Sequence, residues 1–185
     1  IKMMILNARN NLDINIPPKD ASDGWTTELQ IDNLFWLRKI NKKLSNGILL
    51  IIDYALESRK YYSSQKTDGT LLAYKNQKAY NNPLVYAGDC DLTSHVCIDL
   101  LIHEAKLSGF KSIGCLKQGE ALLALGLAEK IYDIQQEFKD NLSFALLRRE
   151  SLLRLVDPIS LGDFRWFIFQ KMNQSHIKIN SICLR

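Results

Sequence analysis

The residues that could do chemistry lie in two places. One is an acid at the end of an apolar run: Ile48-Leu49-Leu50-Ile51-Ile52 is followed by Asp53-Tyr54. A continuous, β-branched run of this length reads as a strand buried on both faces, the habit of a parallel sheet. In open α/β sheets, ligands bind beyond the carboxyl ends of the strands. Asp53 is therefore a candidate site residue, and the competing reading is an Asp that caps the following turn. The other place is the cluster Cys90, His95, Cys97, Asp99 and His103. His95, Asp99 and His103 stand four apart, a spacing that shares one helix face. Zinc sites draw paired ligands from two elements, so helix-start chemistry accounts for the cluster better and no metal is expected. Asp91 or Thr93 would cap that helix. No Gly-x-Gly-x-x-Gly, P-loop or Ser elbow occurs.

The elements that must position these residues follow from periodicity. Residues 1–16 read as a hairpin, closed by Pro17-Pro18, which cannot donate to a ladder. Ile31 to Leu44 has the mixed three-and-four spacing of an amphipathic helix, with Asn46-Gly47 as its stop. Glu57 to Asp91 has no period, and a stretch so long without structure reads as a functional loop or lid. Thr93 to Leu107 reads as a helix stopped at Gly109. Lys111 to Leu116 is a short strand, and Glu120 to Ile131 is one helix. Phe138 to Val156 is mostly helical and ends at Asp157-Pro158. Phe164 to Phe169 and Ile177 to Leu184 are further strands. Helices alternating with apolar strands give an α/β sheet covered by helices.

Composition excludes several function classes. The chain has 185 residues, 46% hydrophobic and 24% charged, with 24 Lys+Arg against 20 Asp+Glu. That is a globular composition. No apolar run approaches the ~18 residues of a membrane span. The basic residues sit in short clusters without interleaved aromatics, so neither nucleic acid nor membrane is an expected partner. Four scattered cysteines read as reduced intracellular thiols. The chain opens on Ile1, which is expected of a fragment or trimmed chain.

The residues then carry a family resemblance. Gly47-Ile48-Leu49-Leu50-Ile51-Ile52-Asp53-Tyr54, Arg59-Lys60-Tyr61-Tyr62 and Asp68-Gly69-Thr70-Leu71 occur in order. Asn82-Pro83-Leu84, Gly88, Asp91-Leu92-Thr93-Ser94-His95-Val96, Gly109 and Gln118 continue the series, with Thr27-Glu28 ahead of Trp36. From about residue 20 to 130 the sequence resembles the MidA-like S-adenosylmethionine-dependent methyltransferases, with a weaker match at Leu161 to Phe169. The mitochondrial member of that family is a protein arginine methyltransferase needed for assembly of respiratory complex I. Departures are Ala55 for the family's Gly, Asn76 and Gln77 for Arg and His, Cys97-Ile98 for Asp-Phe, and Leu161-Gly162-Asp163 for Met-Gly-Glu. The resemblance covers only the C-terminal half of the family. The glycine-rich cofactor loop has no counterpart, since no two of the nine glycines are separated by fewer than four residues.

The resemblance implies a C-terminal half of a Rossmann-like class I methyltransferase sheet. Residues 1–46 would be a substrate-side hairpin and helix, and 47–185 the half-domain, with 57–90 as its lid. It implies S-adenosylmethionine as cofactor and a protein, arginine-bearing substrate. The setting would be the cytoplasm of a bacterium or the mitochondrial matrix of a eukaryote. Methyl transfer from a sulfonium needs positioning and exclusion of water more than covalent catalysis. Carboxylates suit a guanidinium acceptor, because planar bidentate pairs fix its orientation. Asp53 and Tyr54 are then the catalytic candidates, and Glu28, Asp91, Thr93 and His95 the substrate-side ones. Asp91 reads equally as a cap, and His95 as a proton relay or a loop tie. An uncovered half-sheet would associate, so a homodimer or aggregation is expected. A non-catalytic interaction or assembly module is the alternative.

Overall fold

The computed structural model describes residues 15–172. The expected hairpin at 1–16, but for its last two residues, and the expected strand at 177–184 lie outside them. In chain order the elements are α1 (Asp32–Lys43), β1 (Gly47–Asp53), β2 (Ala55–Leu56), α2 (Ser58–Tyr61), β3 (Leu72–Lys75), β4 (Lys78–Tyr80), β5 (Asp91–Thr93) and β6 (Val96–Cys97). There follow α3 (Ile98–Leu107), β7 (Lys111–Lys117), α4 (Gln118–Ala124), α5 (Leu127–Glu137), α6 (Leu142–Arg154), a 3-10 turn (Leu161–Asp163) and β8 (Arg165–Lys171). This is a mixed α/β chain. No described helix is long and apolar enough to cross a membrane.

The chain divides into two compact units. The first holds residues up to Leu44 together with Tyr54–Lys111; the second holds Ser45–Asp53 and the residues from Ser112 onward. In the first unit, Ile16, Tyr61, Tyr62 and Cys97 form a buried cluster, with Trp25, Leu56 and Leu100 packed against it. Leu37 is the fully buried residue of α1. The end of α3 follows the expected glycine stop. Gly109 has φ +89°, Gly109 N–H donates to the Lys106 carbonyl, and Phe110 N–H donates to the Ala105 carbonyl. This is a Schellman closure, sealed by the buried Phe110.

The segment 57–90, expected to lack structure, contains α2, β3 and β4. β3 and β4 form a hairpin with Lys75 opposite Lys78. Its two loop residues, Asn76 (φ 51°) and Gln77 (φ 61°), both take the left-handed region. Two-residue hairpins favour that conformation, because the turn's twist then matches the strands. Gln is a poor signal for it, which hid the hairpin in the sequence. β5 joins the other edge of β3, giving the order β4-β3-β5. β2 pairs in parallel with β6.

In the second unit the sheet order is β1-β8-β7. The β1 strand, expected to be parallel and buried on both faces, pairs antiparallel with β8. Its burial alternates: Ile48, Leu50 and Ile52 stay 52%, 45% and 42% exposed. An apolar run looks the same in sequence whether its second face is covered or not. Phe167 and Phe169 on β8 are buried and stacked, centroids 6.3 Å apart. The single helix expected over 120–131 is broken at Gly126, which takes φ +91° and separates α4 from α5. α6 begins at Asn141, whose side-chain oxygen accepts the Phe144 N–H at 3.1 Å, an ordinary N-cap.

This packing makes two demands on stability. A Cβ on Gly162 would lie 2.5 Å from the Val156 carbonyl carbon and oxygen. Backbone cannot yield there, so Gly162→Ala should cost about 2–3 kcal/mol or more in urea unfolding, as overpacking does. Glu104 on α3 is 8% exposed, its Oε2 has no hydrogen-bond partner, and burial pushes its carboxyl up to about 7 from 4.5. The folded state therefore holds a proton that the unfolded state releases. Stability should be greatest below pH ~4.5, fall as pH rises, and level off above pH ~7. Glu104→Gln should abolish that fall when unfolding is compared at pH 5 and pH 8.

Candidate functional site

The most densely bonded group in the first unit is the Glu28 carboxylate. Its Oε1 accepts the N–H groups of Thr70 at 2.9 Å and Leu71 at 2.7 Å. Its Oε2 accepts Thr70 N–H at 3.1 Å, the Thr70 hydroxyl at 3.2 Å and the Tyr61 hydroxyl at 3.2 Å. A carboxylate has about four lone-pair sites, and all are taken, by uncharged donors. Gly69 makes this possible. A Cβ there would stand 2.5 Å from Glu28 Oε1, and φ is +72°. The Asp68-Gly69-Thr70-Leu71 turn is thus folded around an acid carried 40-odd residues earlier. Burial pushes the Tyr61 hydroxyl upward, so it stays a donor to Glu28.

The network extends from Thr70. Its hydroxyl oxygen accepts the His95 N–H at 3.1 Å. Gln30 bridges the same segment: its Nε2 donates to the His95 carbonyl at 2.5 Å, and its Oε1 accepts the Cys97 N–H at 3.1 Å. Val96 N–H donates to the Tyr54 carbonyl at 2.7 Å, and the Tyr54 and His95 rings lie 6.1 Å apart. Glu28, Tyr54 and His95, far apart in sequence, therefore belong to one bonded group. Gln30 and Thr70 hold it together. Neither was a candidate site residue in the sequence: Thr70 stood there only as part of the Asp68-Gly69-Thr70-Leu71 string, and Gln30 carried no signal.

Asp91 and Thr93 lie elsewhere in the same unit, on β5, opposite Tyr74 and Leu72. Neither caps α3. That helix begins at Ile98, with Cys97 at its N-cap and no side-chain cap. Pairing with β3 took residues 91–93 into a strand and overrode their capping propensity. His95 precedes the helix, so it shares no helix face with Asp99 and His103. Asp99 Oδ2 instead accepts the Ser58 N–H at 2.7 Å. Among the described residues no group of His, Cys, Asp and Glu could hold a metal. Burial pushes the Cys97 thiol up to about 11, so it is an inert core thiol.

A cleft of about 510 Å³ opens beside Glu28, lined by Thr26, Thr27, Glu28, Asp68, Leu71, Asn81, Asn82 and Pro83. Among the described residues its lining contains two carboxylates and no cation. The Asp68 carboxylate receives the Thr67 hydroxyl at 3.3 Å. The Thr27 hydroxyl is buried without a partner. Such a wall attracts positively charged groups.

Asp53 belongs to the second unit. It closes β1 directly opposite Arg165 of β8. Among the described residues Gly24, Gly47, Gly69, Gly88, Gly109 and Gly126 have positive φ, no two of them adjacent in sequence, and the place of a Cβ on Gly69 is filled by Glu28.

The model of a family described as putative S-adenosyl-L-methionine-dependent methyltransferase matches residues 3–116. Two crystal structures from Burkholderia thailandensis are similar to this chain, each with a TM-score of 0.74 and 25% identity. One is the native structure of an uncharacterized ACR superfamily protein, and the match covers 82% of this chain and 40% of that one. The other is a member of the same superfamily bound to S-adenosyl-homocysteine, with coverage of 82% and 39%. The chain thus spans about 40% of the length of these solved relatives. A search of curated proteins finds no match.

The Glu28 network makes a testable demand. Glu28→Ala would strand two main-chain N–H groups in a partly buried turn, and should cost about 2–4 kcal/mol in urea unfolding. Gly69→Ala should be destabilising by itself. In the Glu28→Ala background its cost should fall, because the obstructing carboxylate is gone.

Proposed function

We propose that this chain, which belongs to the putative S-adenosyl-L-methionine-dependent methyltransferase family, is the acceptor-side half of such an enzyme, related to the MidA-like members. The carrying observation is the family match combined with a span of about 40% of the solved relatives' length. The donor-holding glycine turn is not built from the described residues, while an acid at a strand end and an anionic cleft are. S-adenosylmethionine is the cofactor on this reading, held by parts other than these residues, and it would supply the methyl group.

The acceptor is a protein side chain carrying positive charge, with arginine the best fit. Asp53 supplies the carboxylate that orients a guanidinium through paired hydrogen bonds and balances its charge until a proton leaves. Tyr54 extends the same strand end. Glu28 is saturated by its own turn, so its part is to fix the turn that carries Thr70, whose hydroxyl in turn holds the His95 backbone N–H. The cleft beside it supports the reading through the two carboxylates of its lining. Within the first unit, Asp91 and Thr93 on β5 and the β3–β4 hairpin with residues 81–90 are assigned to contacts with the polypeptide substrate. The half-exposed face of Ile48, Leu50 and Ile52 supports self-association, with a homodimer as the simplest form.

Three measurements test this. In the complete protein, Asp53→Asn should lower methyl transfer to a protein acceptor by at least ~10²-fold, the scale of losing a positioned catalytic group. Near-normal turnover would remove Asp53 from the site. In titration calorimetry, the 185-residue chain alone should bind S-adenosyl-homocysteine no tighter than about 1 mM, or ~4 kcal/mol. Micromolar binding would place the cofactor site within this chain. In sedimentation velocity, Leu50→Lys should shift the chain toward monomer if that apolar face mediates association.

A further inference from the structure

We propose that a second cavity of the first unit is a recognition site for a phosphate monoester, with the side chains of Lys19 and Arg59 as its charged grips. This cavity has a volume of about 400 Å³, and Lys19, Asp20, Ser58, Arg59, Ser63 and Ser64 are among its lining. It shares no lining residue with the cleft beside Glu28, and the balance of charge is reversed. Two cations stand here against one acid, where that cleft has two acids. The inference goes beyond the methyltransferase reading and does not rest on it.

Bonds between distant parts of the chain build the walls. The Ser64 hydroxyl donates to Asp20 Oδ2 at 2.6 Å, tying the segment that carries Lys19 to the turn after α2. The Trp25 indole N–H donates to the Ser63 carbonyl at 3.1 Å, which fixes the neighbouring serine. Ser58 N–H donates to Asp99 Oδ2 at 2.7 Å, anchoring the residue just before Arg59. Ser58 and Tyr62 are the buried members of the lining, 6% and 3% exposed. The Tyr62 hydroxyl is buried without a hydrogen-bond partner, a feature that calls for a water or an ion nearby. Lys19 and Arg59 are exposed, and among the described residues neither takes part in an ion pair.

The chemistry of this lining selects the ligand. Arginine presents a planar fork that matches two oxygens of a phosphoryl group. Lysine adds a point charge, and serine hydroxyls donate to the remaining lone pairs. Asp20 offsets one of the two cations, and its Oδ2 is turned to Ser64. One excess positive charge remains. A phosphate monoester carries close to two negative charges at neutral pH and offers three acceptor oxygens. It gains about twice as much from that excess as a carboxylate does. A phosphorylated side chain on a polypeptide and a free phosphate or small ester present this same group.

Fluorescence anisotropy on the complete protein tests the site. One labelled peptide carries a phosphoserine among neutral residues, and its control carries serine. Titration calorimetry with inorganic phosphate forms the second arm. The phosphate-bearing probes should bind, the phosphopeptide at least ~10-fold more tightly than its control, the scale of one charge-assisted hydrogen bond. Lys19→Gln and Arg59→Gln should each weaken that binding at least ~5-fold, and Arg59→Lys should recover part of the loss. Urea midpoints should stay unchanged, because both side chains are exposed. A phosphopeptide that binds more tightly than inorganic phosphate assigns the site to a phosphorylated polypeptide, and equal affinities assign it to a free phosphate or small ester. Binding of neither probe would overturn the proposal. So would phosphopeptide binding that survives Lys19→Gln and Arg59→Gln together, since the charge would then be supplied elsewhere.

Discussion

The first unit depends on one carboxylate. Glu28 is an acceptor whose bonded partners are all uncharged, and it is satisfied only because a turn from a distant part of the chain wraps it with main-chain N–H groups. That turn needs a glycine, because the carboxylate occupies the place where a side chain would begin. Through Thr70 the same turn fixes the backbone of His95, and Gln30 fixes it from the other side. The position of the Tyr54–His95 pair is therefore set by polar bonds. Burial of apolar area contributes less here, since Tyr54 is 47% exposed. Such networks are worth more than their separate bonds when complete, and are costly when one member is lost.

The second unit is organised differently. Its sheet is closed on one face by the buried Phe167 and Phe169 and left half exposed on the other at Ile48, Leu50 and Ile52. Backbone contacts, not side-chain networks, set its tightest points: Gly162 lies against Val156, and a Cβ on Gly119 would stand 3.2 Å from the Val156 carbonyl oxygen. Gln118 ties these turns together, donating to the carbonyls of Leu155 and Leu161 and accepting the Trp166 indole N–H. A residue that the sequence shows only as part of a family string is here the clasp between a helix start, a 3-10 turn and a strand.

The helices and strands with clear period were legible in the sequence. α1, β1, β7, α6 and β8 lie where periodicity and stop signals put them, and Gly109 ends α3 as its residue type demands. What was not legible depended on partners far along the chain. The β3–β4 hairpin turns on a Gln in the left-handed region, and Asp91 and Thr93 became a strand because β3 was there to pair with. The direction of β1 and the exposure of its second face are properties of neighbours, so no reading of five apolar residues could give them. The acids were visible as acids. Their surroundings were not, since a carboxylate saturated by a turn and one at the end of a strand look alike in a string of letters.

The path of the chain has a consequence during synthesis. β1 interrupts the run of residues that builds the first unit, and its partner β8 is more than 100 residues downstream, from Asp53 to Arg165. At ~5–20 residues per second, a ribosome needs roughly 6–20 s to supply that partner. For that interval a strand of unbroken aliphatic residues is out of the exit tunnel with no edge to join. Production of this protein is thus a race between elongation and capture of an exposed β-strand, which slow translation would tend to lose and a ribosome-bound holdase would help to win.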